Sequence, residues 1–232
     1  DVGIAEEHAA LFACGHACEG FKPFLAIYST FMQRAYDMII HDIALQNLPV
    51  RLCMDRAGLS GDDGPTHHGL FDIGYLRHIP GLIHMQPKDE EEFVDMLHTM
   101  AAYNDGPTCI RFPRGAGTGA TPKSEPEILT IGEAELIADG SDVCLIGLGH
   151  FFEIAVDTKL QLEALGYSVA LINPRWIKPL DAKLITEYAQ KCKVICTFED
   201  HVLMNGFGSS IIELLHTSGI HTQVERIGLS LI

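Results

Sequence analysis

Two hydrophobic rhythms alternate along this chain: short continuous apolar runs, and longer stretches with apolar residues at helical spacing. Glu6 to Glu19 has helical spacing, and Pro23 to Tyr28 follows as a strand. Phe31 to Gln46 predicts a second helix, with Met32, Ala35, Tyr36 and Ile39 forming a stripe at i, i+3, i+4 and i+7. Leu48 to Met54 is apolar apart from Arg51 and predicts a buried strand. Leu82 to Met85 predicts another, and Asp89 stands as the cap of a helix with an acidic first turn that runs to about Tyr103. Thr108 to Phe112 is a short strand ending in Pro113-Arg114-Gly115.

The texture then changes. Gly115 to Glu127 is rich in Gly, Thr, Pro, Ala and Lys and has no period, as expected of a connection between domains. A second alternating series follows: strand 142–148, helix 152–165, strand 168–172, helix 181–191, strand 194–198, helix 209–216 and strand 223–227. Strands alternating with helices of these lengths predict an α/β protein of two parallel-sheet domains, with residues 1–120 as the first and 121–232 as the second. Asp1-Val2-Gly3 reads as the last part of a strand, and Leu231-Ile232 follows directly on another, so both ends read as cut.

Composition narrows the function classes. The 232 residues carry 31 acidic against 16 basic side chains, a net charge of −15. Such a surface repels phosphate backbones, which argues against nucleic acid as a partner. No apolar run approaches the eighteen or more residues of a spanning helix, which argues against a membrane partner. The seven cysteines form no C-x-x-C pair, and Cys14, His16 and Cys18 fit no zinc spacing, so no metal ligands are assigned. Free cysteines inside predicted strands and a helix fit a reducing compartment.

The chemistry-bearing residues gather where strands end. In an open parallel sheet, ligands bind outside the carboxyl ends of the strands. The predicted strand 48–54 runs into Asp55-Arg56-Ala57-Gly58-Leu59-Ser60-Gly61-Asp62-Asp63-Gly64-Pro65-Thr66-His67-His68-Gly69, where glycines and a proline forbid regular structure and charges crowd together. A solvated charged turn is the alternative. Arg114, after another strand, is predicted at the same edge as Arg56, and two converging arginines suit phosphate or carboxylate. Tyr28 and Phe31 bracket a strand end and offer a flat stacking surface, or else serve the core. Arg34 falls one turn beyond Phe31. Glu6 enters an apolar, small-residued helix that is expected to be buried, where a desolvated carboxylate is suited to share a proton. The plainer role for Glu6 is to meet the helix dipole. No G-x-S-x-G elbow, P-loop or G-x-G-x-x-G fingerprint is present.

Several longer stretches resemble the 1-deoxy-D-xylulose-5-phosphate synthase family. They are Gly3-Ile4-Ala5-Glu6-Glu7-His8-Ala9, Ile27-Tyr28-Ser29-Thr30-Phe31-Met32-Gln33-Arg34-Ala35-Tyr36-Asp37, His41-Asp42-Ile43-Ala44-Leu45-Gln46, Asp55-Arg56-Ala57-Gly58-Leu59, Asp63-Gly64-Pro65-Thr66-His67 and Arg111-Phe112-Pro113-Arg114-Gly115. The resemblance covers essentially the whole chain. It implies a pyrimidine-binding domain, lacking its first elements, and a transketolase-like C-terminal domain.

The family implies a thiamine-diphosphate enzyme that condenses pyruvate with glyceraldehyde 3-phosphate, releasing carbon dioxide, for isoprenoid, thiamine and pyridoxal synthesis. It also implies a homodimer in the bacterial cytoplasm or the plastid stroma. By position, Glu6 corresponds to the glutamate that hydrogen-bonds the aminopyrimidine, Tyr28 and Phe31 to its aromatic wall, and Arg34 to their neighbour. Arg56 and Arg114 correspond to residues on the acceptor phosphate. Asp63 and His67 correspond to polar groups near the reacting carbons, with His67 as the proton carrier, and Tyr28 is expected to bind substrate as well as cofactor. Ser60-Gly61-Asp62 and His68 depart modestly from the family pattern. The Mg2+ and diphosphate ligands are expected on an N-terminal domain outside these residues, so the chain alone is expected to be inactive. Alternative readings are the C-terminal subunit of a split transketolase-like enzyme, and a non-catalytic assembly module.

Overall fold

The computed structural model describes residues 2–230. The chain divides into two compact units, Asp1–Leu129 and Thr130–Ile232. The expected strand end at Asp1-Val2-Gly3 lies partly outside the described residues, and Val2 and Gly3 belong to no strand. Leu231 and Ile232 lie wholly outside them.

The first unit contains α1 (Glu6–Cys18), β1 (Phe24–Tyr28), α2 (Ser29–Met32), α3 (Tyr36–Met38), β2 (Arg51–Asp55), α4 (Asp72–Leu76), β3 (Ile83–Met85), α5 (Glu90–Ala102) and β4 (Thr108–Arg111). Its strands run in the order β1-β2-β4-β3, every pair parallel. Tyr28 lies opposite Asp55, and Met54 opposite Arg111, so the three strand ends that the sequence singled out share one edge.

Packing altered several expected elements. The helix expected over 31–46 is a succession of windings: α2, a tight turn at Gln33–Ala35, α3, and a π-wound stretch Ile39–Ala44. In the last, Leu45 N donates to Ile40 O and Leu48 N to Ile43 O, each at 2.9 Å. The wider turn keeps Ile39 and Ile43, with Met32 and Ala35, fully buried against the sheet. Strand β2 begins at Arg51 rather than Leu48. Pro49 has no N–H to give, and Val50 N turns back to Leu48 O at 2.8 Å.

Helix α1 is buried on one face only. Ala9, Ala10, Ala13, Cys14 and Ala17 pack inward while Leu11 and Phe12 are exposed, which corrects the expectation of a wholly buried helix. The small residues form a narrow stripe, and the large apolar ones fall outside it.

The second unit contains β5 (Glu135–Ala138), β6 (Val143–Gly147), α6 (Phe152–Ala164), β7 (Val169–Asn173), β8 (Trp176–Lys178), α7 (Ala182–Lys191), β9 (Val194–Val202), α8 (Phe207–Thr217) and β10 (Gln223–Leu229). One sheet runs β10-β9-β6-β7-β5, parallel except for the edge strand β5, which is antiparallel to β7. Strand β9 extends four residues past the expected end. Its added segment holds Glu199, which accepts from Phe207 N at 2.6 Å and Gly208 N at 2.8 Å and so caps α8. A Cβ on Gly206 would lie 2.7 Å from the backbone oxygen of Val202 and against Glu199 Oε2, so a larger residue there would disturb the cap.

All seven cysteines are free thiols, and burial pushes Cys14 and Cys53 up to about 11. Among the described residues no helix is long and apolar enough to cross a membrane.

Candidate active site at the carboxyl edge of the first sheet

Strand β2 ends in a loop that closes on itself. Gly58 N donates to Gly69 O, and Gly69 N to Gly58 O, both at 2.8 Å. A Cβ on Gly69 would meet Ser29 Oγ at 2.5 Å and Arg56 O at 2.6 Å, so glycine lets the neck lie against the start of α2. Inside the loop, Ser60 Oγ donates to His67 O at 2.7 Å, and Ser60 N donates to His68 Nδ1 at 3.0 Å. The result is a compact Ω-type loop standing on the edge of the sheet.

The structure brings all eight singled-out residues into one chain of contacts. Arg34 pairs with Glu6 at 3.2 Å and lies 5.6 Å from the centroid of the Phe31 ring. Phe31 stacks on Tyr28 at 5.6 Å with 18° between ring planes, and meets His67 edge-on at 5.3 Å. The Arg56 guanidinium lies over the Tyr28 ring, 3.8 Å from its centroid. Asp63 links the two arginines: its Oδ2 takes Arg56 Nε at 3.1 Å, and its Oδ1 takes Arg114 Nη1 at 2.9 Å. Arg114 Nη1 also donates to Ser60 O at 3.3 Å. His67 Nδ1 lies 2.9 Å from Thr66 Oγ1.

Glu6 sits at the first turn of α1, whose Ala5 provides no side-chain cap. Its side chain is 13% exposed, and its charge is met by Arg34 as well as by the helix dipole. Beside it opens a groove of about 770 Å3 that runs along the edge strand β1, lined by residues 21–28 as well as by Glu6, Ala13, His16 and Phe31. That volume is within the range of small-molecule sites.

Arg56 adopts a left-handed backbone, φ +58°, which costs a non-glycine residue about 1–3 kcal/mol. Its surroundings hold it there. Burial works against its charge, but ion pairs with Asp55 and Asp63 outweigh that and push its pKa up.

Sequence reasoning gave no role to Asp55, Asp72, Gln86 or Arg111. The fully buried Arg111 donates from Nε to Asp72 Oδ2 at 2.6 Å, also reaches Gln86, and directs Nη2 toward Gly69 O at 3.5 Å. It thereby fastens the neck of the loop to the end of β4 and the start of α4. The signal was present: a charged residue closing a four-residue buried strand needs a buried partner. Among the described residues, no group of three or more His, Cys, Asp or Glu side chains is placed to hold a metal ion.

Known proteins resemble the chain over both units. The pyrimidine-binding domain of transketolase matches residues 1–118, and the transketolase C-terminal domain matches residues 132–231. A 1-deoxy-D-xylulose-5-phosphate synthase of Acidobacterium capsulatum is 56% identical over 228 residues, 98% of this chain and 36% of that protein. Its counterpart from Methylacidiphilum infernorum is 55% identical over the same shares. The chain thus spans about a third of the length of the curated relatives it matches. Among solved structures, one titled "Split gene transketolase, inactive beta4 tetramer" superposes with a TM-score of 0.88 at 25% identity, over 99% of this chain and 74% of that one. With both domain matches in sequence order, and a mostly parallel sheet in each unit, the chain belongs to the transketolase family.

Proposed function

We propose that this chain is the pyrimidine-binding and C-terminal portion of a thiamine-diphosphate-dependent transferase that condenses pyruvate with glyceraldehyde 3-phosphate to 1-deoxy-D-xylulose 5-phosphate and carbon dioxide. The observation that carries the reading is the unbroken run of contacts from Glu6 to Arg114, which puts a groove-lining carboxylate, a stacked aromatic wall and a two-arginine anion clamp on one sheet edge.

The residues fit the pyrimidine end of the cofactor. Tyr28 and Phe31 would supply the aromatic wall for a flat ring, and the small side chains of α1 border the adjoining space. When bound, thiamine diphosphate supplies the electron sink for decarboxylation. Glu6 would share a proton with a ring nitrogen of the bound cofactor. Arg56 and Arg114 bind the acceptor's phosphate through charge-assisted, directional hydrogen bonds. Asp63 accepts from substrate hydroxyls, and His67 Nε2 exchanges a proton with the reacting oxygen. Arg34 positions Glu6. The Mg2+ and diphosphate ligands belong to residues outside this chain.

The test is complementation. Combined with the N-terminal part of a relative, the chain should form the product, and Glu6→Gln should lower kcat by about 100-fold or more. The isolated chain should not turn over. Turnover of pyruvate and glyceraldehyde 3-phosphate by the isolated chain at an ordinary rate would refute the inactivity. A complemented enzyme indifferent to the acceptor's phosphate would refute the substrate.

The fold match over 99% of the chain to a protein titled as a split-gene transketolase favours a second reading, a subunit completed by a separate polypeptide. The gene decides between the two. One continuous reading frame through the missing domain supports the first, and two frames support the second.

A further inference from the structure

The clamp assigned to the acceptor phosphate already holds an anion, and that anion is Asp63. Its two carboxylate oxygens are divided between two guanidinium groups, Oδ2 on Arg56 Nε at 3.1 Å and Oδ1 on Arg114 Nη1 at 2.9 Å. One carboxylate spread over two arginines from different strand ends uses the donors that a phosphate would use. Counted with Asp55, which pairs with Arg56, the cluster sums to two positive and two negative charges.

The backbone around Asp63 is flanked by glycines. Asp63 closes the single turn Gly61–Asp63, and the glycines on either side have φ +56° at Gly61 and +81° at Gly64. A Cβ at either glycine would meet no atom within 4 Å, so both glycines face open space. The neck differs: Gly58 and Gly69 are bonded to each other, and Gly69 has no room at all. A loosely surrounded turn carrying one carboxylate therefore sits within a firmly closed loop.

We propose that Asp63 is a built-in surrogate for the acceptor's phosphate and a specificity-determining residue. It fills the anion site until a dianion displaces it, and it excludes acceptors that bring a single charge or none. A dianion offers the two arginines more than one carboxylate can, and its repulsion of Asp63 drives the turn outward. The released carboxylate is then available to the acceptor's hydroxyl groups. The proposal rests on the phosphate reading of Arg56 and Arg114.

Calorimetric titration of the 232-residue chain with inorganic phosphate at fixed ionic strength tests it, at about pH 8 where phosphate is a dianion. Asp63→Asn and Asp63→Ala each remove the competing charge. At least one of them should lower the Kd for phosphate by about tenfold or more, the worth of a charge-assisted bond. The same variant should narrow the preference for phosphate over acetate. Phosphate binding that is unchanged or weaker in both variants overturns the proposal. Arg56→Ala and Arg114→Ala separate that failure from failure of the site: if both bind phosphate as the unsubstituted chain does, the phosphate reading itself falls.

Discussion

At Asp72 and Arg111 a single substitution has its greatest leverage on the first unit. Both side chains are wholly buried and paired at 2.6 Å, so removing either leaves an uncompensated charge in the interior. Asp72→Ala is expected to cost about 3–5 kcal/mol, seen as a lower urea midpoint for unfolding of the first unit. At Gly69 the obstacle is steric. Gly69→Ala forces the neck away from Ser29 and Arg56 O, and is expected to lose about 1–3 kcal/mol together with phosphate binding.

Glu90 offers a pH readout. It accepts from Thr118 Oγ1 at 2.7 Å and Gly119 N at 2.9 Å, and these bonds hold its carboxyl down at about 2, below an ordinary 4.5. A depressed folded-state pKa stabilises above the unfolded value and is lost as pH falls through the folded one. The Gly119 amide should therefore lose protection from hydrogen exchange as pH drops from about 4.5 toward 2, and Glu90→Gln should abolish that dependence. Residue-level legibility in the sequence was uneven. Position after a strand and likeness to a family singled out Glu6, Tyr28, Phe31, Arg34, Arg56, Asp63, His67 and Arg114. Neither could tell that Asp63 would lie between two arginines, because that depends on where a glycine-flanked turn points.

Among elements, the connection after β4 shows how an irregular segment is held. Asp95 on α5 accepts from Glu127 N at 2.8 Å and Lys123 Nζ at 3.1 Å, and Thr99 Oγ1 accepts from Leu129 N at 2.8 Å. Composition marked this stretch as a connection but carried no sign that α5 would bind it down. Asp95→Ala is expected to cost about 1–3 kcal/mol and to make the segment 115–129 an early site of proteolysis. In the second unit, Asp181 accepts from Leu184 N at 2.9 Å and from Ala134 N at 3.0 Å, capping α7 while fixing the entry to β5.

Helices with strong caps, such as α5 behind Asp89 and α7 behind Asp181, were readable to within a residue or two. The π-wound stretch after α3 and the late start of β2 were not. Both arise where burial of Ile39 and Ile43, or the missing N–H of Pro49, overrides local preference. Strand β5 escaped notice because it is a four-residue edge strand whose apolar run, Leu136 to Ala138, is too short to stand out.

At the scale of the molecule, a net charge of −15 leaves few cations, and in the first unit Arg34, Arg56, Arg111 and Arg114 all stand in ion-paired clusters. Under the proposed function, product formation is expected to require the N-terminal part of a relative, which the complementation assay checks. The alternation of strands and helices, the two-part organisation, and the gathering of reactive residues at strand ends were determined by the sequence alone. These are consequences of short-range periodicity and turn chemistry, which a linear pattern carries in full. The tertiary structure alone decided the strand order β1-β2-β4-β3, the burial of Arg111 against Asp72, and the capture of Asp63 by Arg56 and Arg114. Each joins groups far apart in the chain, and their meeting depends on how the sheet is assembled, which local preference does not encode.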